Sequence, residues 1–415
     1  MIVETMSVPI VSSSSPSSGS SMVQTAASTT NVDVSGGYNS FQFHPNTFQQ
    51  GIVDVTSDGF LVSTPVPQDA YQPHFTRGYI ERGTIYTQKG QVFQPQRALN
   101  VTVQYGSAYL GSEMQSNPST GGFEPVNAQS PDIYIRVINY KKYMTEKQKD
   151  PRKGDDIMKM IAILQYLQPY HHDNIANIVD CVVADDFIFI VTEFGGEDLY
   201  NIVTSDAFKA TCSENDRRKM FSQIVCALKF LEEVGIYHRD LKVENIVYNY
   251  KTGKVKLIDF GMAMFVPTMT IRQIEEELTL RGLQDMNPYP ATYPSAVKAG
   301  EPIPLLIMHV GYVGTKNCMP PEMLGKKPLN GFAADRWSLG VVLFYMLNSN
   351  PPWTVALQGE QYFDKFIGQD LLIEALSVTP LSANAKNLLR QMLRSVDPSD
   401  RLSTQQILSH PWMTE

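Results

Sequence analysis

The sequence predicts an α+β fold, with short strands gathered before about residue 195 and long helices after it. Three observations carry this. From Ala98 to Phe194 the chain is a series of short β-like runs, ALNVTVQYGSAYLGSEM, DIYIRVIN and FIFIVTEF, broken by Gly and Asp turns. From Ser213 to Gly235 the apolar residues recur at helical spacing. Later, Asp335-Arg336-Trp337-Ser338-Leu339-Gly340 opens another apolar helix that reaches Leu347.

Taken in order, residues 1–40 are mostly Ser, Thr, Gly and other small residues with no period of 2 or 3.6, which predicts a disordered tail over 1–70. Residues 41–97 mix aromatics with Gly and Pro; short strands fit, but no fold is legible. The strand-rich part is set at 71–195 and the helical part at 196–415. Cys181–Ala184 and Phe187–Phe194 read as strands joined by Asp185-Asp186. The helix over 213–234 has a capping-box start at Ser213 and Asp216. Its buried stripe is Met220, Phe221, Ile224, Val225, Leu228 and Leu231, and Gly235 is its stop.

The stretch Tyr237–Gly261, YHRDLKVENIVYNYKTGKVKLIDFG, organises the rest. Two β-like runs, Ile246–Tyr250 and Lys254–Ile258, flank a Lys251-Thr252-Gly253 turn, so a hairpin returns the chain to its start. Asp259 then lies near Asp240 and Asn245, and three oxygen-bearing side chains converge. Such ligands suit Mg²⁺, which takes one or two carboxylates and keeps positions for phosphate and water. Lys242 adds a positive charge. An acid-rich surface hairpin is the competing account of the same residues.

Composition narrows the classes. The formal net charge is −8 and no basic run appears, so no nucleic-acid footprint is expected. Cysteines 181, 212, 226 and 318 have no CxxC spacing, which predicts reduced thiols in a cytoplasmic or nuclear protein. No run of eighteen apolar residues predicts a membrane span, and MIVETMSVPIV carries Glu4 and no basic n-region.

HRDLKVEN followed by DFG resembles the catalytic and metal loops of eukaryotic protein kinases, and Lys242 resembles the serine/threonine class. The resemblance covers about residues 98–415. It implies a two-lobed kinase-like fold, a small β-rich N-lobe and a larger helical C-lobe with ATP between them. It implies Mg²⁺ and ATP as cofactors and a protein hydroxyl as substrate. Asp240 is then the base, Asn245 and Asp259 the metal ligands, and Lys242 a catalytic partner. Thr315, in Gly314-Thr315, would brace Asp240 and Lys242. Glu322, in Pro320-Pro321-Glu322, would pair with Arg401, and Asp335 would tie down the catalytic loop. Thr192 stands at the gatekeeper position. The backbone at Glu193 and Gly195 would meet adenine, and Asp198 the ribose.

The N-lobe departs from the family. Gly106-Ser107-Ala108-Tyr109-Leu110-Gly111 is similar to the Gly-rich loop with its middle Gly replaced by Ala108, and equally to an ordinary hairpin turn. Arg136 stands at the phosphate-contacting Lys, and Met160 at the Glu that should hold it; Asp155 or Asp156 is the substitute on offer. Cys318 stands where the family often has Tyr. Sixty-three positions separate Asp259 from Glu322, a long activation segment. Arg239 before Asp240 implies control by phosphate there, hence an upstream kinase as partner, with Thr268, Thr270, Thr279 and Thr292 as candidates. Two readings follow: an active serine/threonine kinase, and a pseudokinase that keeps the fold as a nucleotide-binding or scaffold module.

Overall fold

In the computed structural model the residues described are 70, 72–101, 103–127, 131–150, 155–266, 268–269, 303–304, 307–308, 314–324, 329–369, 381–393 and 397–415. The expected tail over 1–70 lies outside them except for Ala70, as do Thr270, Thr279 and Thr292.

The stretch before Ala98, illegible in sequence, forms three strands: β1 (Thr76–Glu81), β2 (Thr84–Thr87) and β3 (Val92–Ala98). Tight turns join them, with Gly83 and Gly90 at positive φ, where a side chain would be strained. They are followed by β4 (Gly106–Asn117), β5 (Gly122–Pro125) and β6 (Ile133–Asn139), then by β7 (Ile178–Ala184) and β8 (Phe187–Glu193). The strand order is β3-β2-β1-β7-β8-β6-β4-β5, and β3 also pairs with β4. That last pairing closes seven of the strands into a ring. Its interior is apolar, with Ile85, Phe93, Ile133, Ile135, Val182, Phe189 and Val191 packed together. Closure leaves no long unpaired edge on either side.

Alternation along β6 decides what faces where. Ile133 and Ile135 point into the ring, while Ile138 joins the main core with Met160. On that outer face lie the helices α1 (Tyr140–Lys149) and α2 (Ile157–Leu167). Asp156 caps α2 by accepting from the Lys159 N–H at 3.2 Å.

The helical lobe is built around α3 (Glu214–Glu233) and α4 (Gly331–Asn348). The predicted capping box on α3 is present: Ser213 Oγ accepts from the Asp216 N–H at 3.2 Å, and Asp216 accepts from the Ser213 N–H at 3.2 Å. All six residues of its predicted stripe are buried. The helix α4 starts earlier than its sequence signal, at Gly331, because Asn330 caps it by accepting from the Phe332 and Ala333 N–H groups. Between the lobes the predicted hairpin forms as β9 (Ile246–Asn249) and β10 (Lys254–Leu257), with Gly253 at positive φ in the turn. Among the described residues no helix is long and apolar enough to cross a membrane.

Candidate active site

The catalytic loop hangs from α4. Asp335 accepts from the backbone N–H of His238 at 2.7 Å and of Arg239 at 2.8 Å. Burial pushes its pKa up to about 7, against the pull of those two donors. His238 is fully buried against the Phe260 ring, and its Nε2 lies 3.2 Å from the Ile258 carbonyl. Desolvation lowers its pKa, so the ring is neutral and Nε2–H donates to Ile258. Arg239 adopts φ +67°, which turns the chain sharply before Asp240. Burial lowers its guanidinium pKa to about 10, opposed by the Asp335 charge, and Nη1 lies against Met264 sulfur.

Three of the predicted residues meet around Asp240. Asn245 Nδ2 donates to the Asp240 carbonyl at 2.8 Å and to its Oδ2 at 3.0 Å. Lys242 Nζ lies 2.9 Å from Asp240 Oδ2 and donates to Thr315 Oγ1 at 3.0 Å, and Thr315 donates to Asp240 Oδ1 at 3.0 Å. Burial is the largest single influence on Lys242 and works to discharge it, but its bond to Asp240 and the charges of Asp240, Glu244 and Asp259 together raise its pKa. The carboxylate is thus oriented from three sides. The expected bracing by Thr315 is what the geometry gives.

Asp259 takes φ +55° and accepts from the Gly261 N–H at 3.1 Å. Gly261 is required by crowding, since a Cβ there would lie 2.7 Å from Asp155. The Gly261 carbonyl accepts from the Asp156 N–H at 3.1 Å, so the DFG turn is fastened to the start of α2.

Arg136 reaches across the cleft. Its Nη2 lies 2.6 Å from Asp155 Oδ2, and its Nη1 lies 3.5 Å from Asp259 Oδ1 and 3.5 Å from Met160 sulfur. Met160 is therefore where the resemblance put it, and Asp155 takes over the missing acidic role. Asp156 does not, since it is spent on the α2 cap. Of the two substitutes on offer, Asp155 is the one that holds Arg136, whose guanidinium is buried and paired.

The predicted phosphate loop is also corrected. Gly106, Ala108 and Gly111 lie within β4, paired with Ile138, Arg136 and Ile133 of β6. The glycines serve packing: a Cβ on Gly106 would strike the Val137 carbonyl at 1.7 Å, and one on Gly111 the Gln94 carbonyl at 2.5 Å. The connection that enters β4 is residues 99–105, LNVTVQY, which contains no glycine. Tyr105 holds the glycine-like conformation there, φ +66°, and its ring is buried edge-on against Tyr143 of α1 at 5.2 Å. Gln104 accepts from the Asp155 N–H at 3.0 Å. Sequence reading missed both anchors; an aromatic at the tip of a short turn was the available signal.

In the hinge, Thr192 sits opposite Tyr134 of β6. The Glu193 carboxylate meets Lys256 Nζ at 2.7 Å. Gly195 lies over the hairpin, where a Cβ would come 2.4 Å from Val247. The Asp198 side chain is already engaged as a helix cap, accepting from the Asn201 N–H at 2.8 Å and from Asn201 Nδ2 at 2.6 Å. It is not free for a ribose without giving these up. Glu322 and Arg401 form the predicted pair, bidentate at 2.7 Å on both arms. A second buried pair, Glu232 with Arg336 at 2.8 Å, went unpredicted because its partners are 104 positions apart.

Comparison with known proteins agrees with this arrangement. The model of the protein kinase domain matches residues 133–277 and 298–413. The chain is 29% identical over 296 residues to "Probable serine/threonine-protein kinase fhkA" of Dictyostelium discoideum, covering 68% of this chain and 45% of that protein. It is 26% identical over 257 residues to sperm motility kinase 2B of Mus musculus, covering 62% and 43% respectively. With serine/threonine-protein kinase PSK2 of Saccharomyces cerevisiae it shares 28% over 240 residues, covering 56% and 18%. The chain spans less than half the length of each of these relatives. The matched segments take in β6, the catalytic hairpin and the helical lobe, more than half of the sequence, and on that ground the chain belongs to the protein kinase family.

Proposed function

We propose that this chain transfers the γ-phosphate of Mg·ATP to serine or threonine hydroxyls of a protein. The observation that carries this is the orientation of Asp240 by Lys242, Thr315 and Asn245. Such catalysis is mainly positioning and electrostatic stabilisation. Asp240 accepts the proton of the attacking hydroxyl, and Lys242 stabilises negative charge beside it.

The residues fit a magnesium ion. Asn245 uses its Nδ2 on Asp240, which leaves its amide oxygen for a cation, and the Asp259 side chain is 42% exposed. One carboxylate and one amide oxygen are what Mg²⁺ accepts from a protein when phosphate and water complete its shell. When bound, the ion neutralises charge on the phosphates; this chain supplies Arg136 as a second, fixed cation at the same place. ATP should raise the thermal midpoint only with Mg²⁺ present, and Asp259→Ala should remove the rise. An equal rise without metal would overturn the binding mode.

An upstream kinase belongs to the same proposal. Phosphate on the segment after Asp259 would find Arg239, still cationic at neutral pH, and pair with it through charge-assisted bonds. Mass spectrometry of active protein should find phosphate between Asp259 and Thr315; active protein without any would count against it.

A further inference from the structure

Residues 72–76 lead into β1, and they lie well before residue 133, where the match to the protein kinase domain begins. They are tied both to β7 and to the far end of α2. Thr76 pairs with Val182 of β7, and its Oγ1 donates to Asp180 Oδ1 at 2.8 Å. Two positions earlier, the His74 N–H donates to Gln165 Oε1 of α2 at 2.8 Å, and Gln165 Nε2 donates back to the His74 carbonyl at 2.6 Å. The oxygen and the NH₂ of one amide are thus both spent on one residue, which sets the orientation of the helix end as well as its distance. Phe75, between the two ties, packs against the main core, to which α2 contributes Met160, Ile161, Ile163, Leu164 and Leu167. The near end of α2 meets the cleft. Asp155, just before the helix, holds Arg136 at 2.6 Å, and the Asp156 N–H donates to the Gly261 carbonyl at 3.1 Å. Tyr166, next to Gln165, lies edge-on at 5.3 Å to Phe265, beyond the DFG turn.

We propose that residues 72–76 are a strap that holds α2 in place, and that Gln165 is a positioning residue for Arg136, acting through α2 and Asp155. The second step rests on the reading of the cleft as a kinase site. Met160, inside the helix, offers Arg136 no charge, and the acid that holds it stands before the first turn. The place of Arg136 therefore depends on how the whole helix sits. A helix is a rigid element, so releasing the Gln165 end lets the Asp155 end shift with it.

The test begins with hydrogen exchange on the full chain, wild type beside Gln165→Ala and Gln165→Glu, each first shown to unfold cooperatively. Gln165→Ala loses both bonds to His74, and Gln165→Glu keeps an acceptor for the His74 N–H. Exchange reads local opening and needs no turnover. The α2 amides should exchange about tenfold faster in Gln165→Ala, the shift that two side-chain hydrogen bonds of modest net strength give. The rise should be smaller in Gln165→Glu, and α3 should keep its wild-type rate in both. No change in α2, or an equal rise in α3, would overturn the strap. Transfer of labelled γ-phosphate then reads the link to Arg136. Gln165→Ala should lower transfer by about tenfold in the wild-type background, and by less than about twofold in Asp155→Ala protein, where Arg136 has already lost its holder. The same factor in both backgrounds would overturn Gln165 as a positioning residue. Wild-type protein that shows the exchange pattern but transfers no phosphate would sink the kinase reading, and with it the positioning role, and leave the strap standing.

Discussion

Asp155 and Asp156 are adjacent carboxylates with different tasks. The Asp155 side chain is 12% exposed and holds Arg136, itself 10% exposed, at 2.6 Å, while Asp156 caps α2. Removing one member of a buried pair strands the other charge, at a cost of about 3–5 kcal/mol, whereas losing a cap costs about 1 kcal/mol. Urea denaturation should therefore show Asp155→Ala well below Asp156→Ala in stability. Equal losses, or the reverse order, would mean that Arg136 is held by something else. At this scale the sequence was most legible where residues act within a short span. Asp240, Lys242 and Asn245 lie within one short loop, so their meeting was legible from spacing. The choice between Asp155 and Asp156 was not legible, because it depends on where α2 begins and on the Gly261 contact from a distant turn.

Among the elements, α3 was read to within a residue or so because its capping box and buried stripe are local. The arrangement of the strands before residue 98 was not, since β1 is held in the sheet by β7, where Thr76 pairs with Val182. The misplaced phosphate loop has the same origin. Two glycines in a β-rich stretch read as a turn, but they mark backbone crowding between three neighbouring strands. The ring closure gives β1–β3 a structural role that can be measured. Phe93 is fully buried in the ring core, and Phe123, on β5, is 49% exposed. Phe93→Ala should cost about 3–5 kcal/mol, and Phe123→Ala should stay within about 0.5 kcal/mol of wild type. Similar small losses for both would show that the added strands do not form one core with the rest of the lobe.

At the scale of the whole molecule, the two lobes contribute unequally to the proposed reaction. The helical lobe offers a catalytic loop fixed by Asp335, a base oriented from three sides and a structural pair between Glu322 and Arg401. The strand lobe offers Arg136 for Lys, Asp155 for the usual Glu, and a glycine-free loop pinned by Tyr105. The family pattern was therefore most legible in the lobe that follows it most closely. These substitutions predict slow turnover with the chemistry intact, since losing one preorganised stabilising group costs on the order of 10²–10³ in rate and Arg136 restores part of it. The most direct measurement is transfer of labelled γ-phosphate from Mg·ATP to serine- and threonine-containing peptides, for wild type beside Asp240→Asn. The account predicts slow incorporation by wild type that falls by about 10²–10⁴ when the base is lost. No incorporation by wild type with Mg·ATP bound, or equal incorporation by Asp240→Asn, would contradict it.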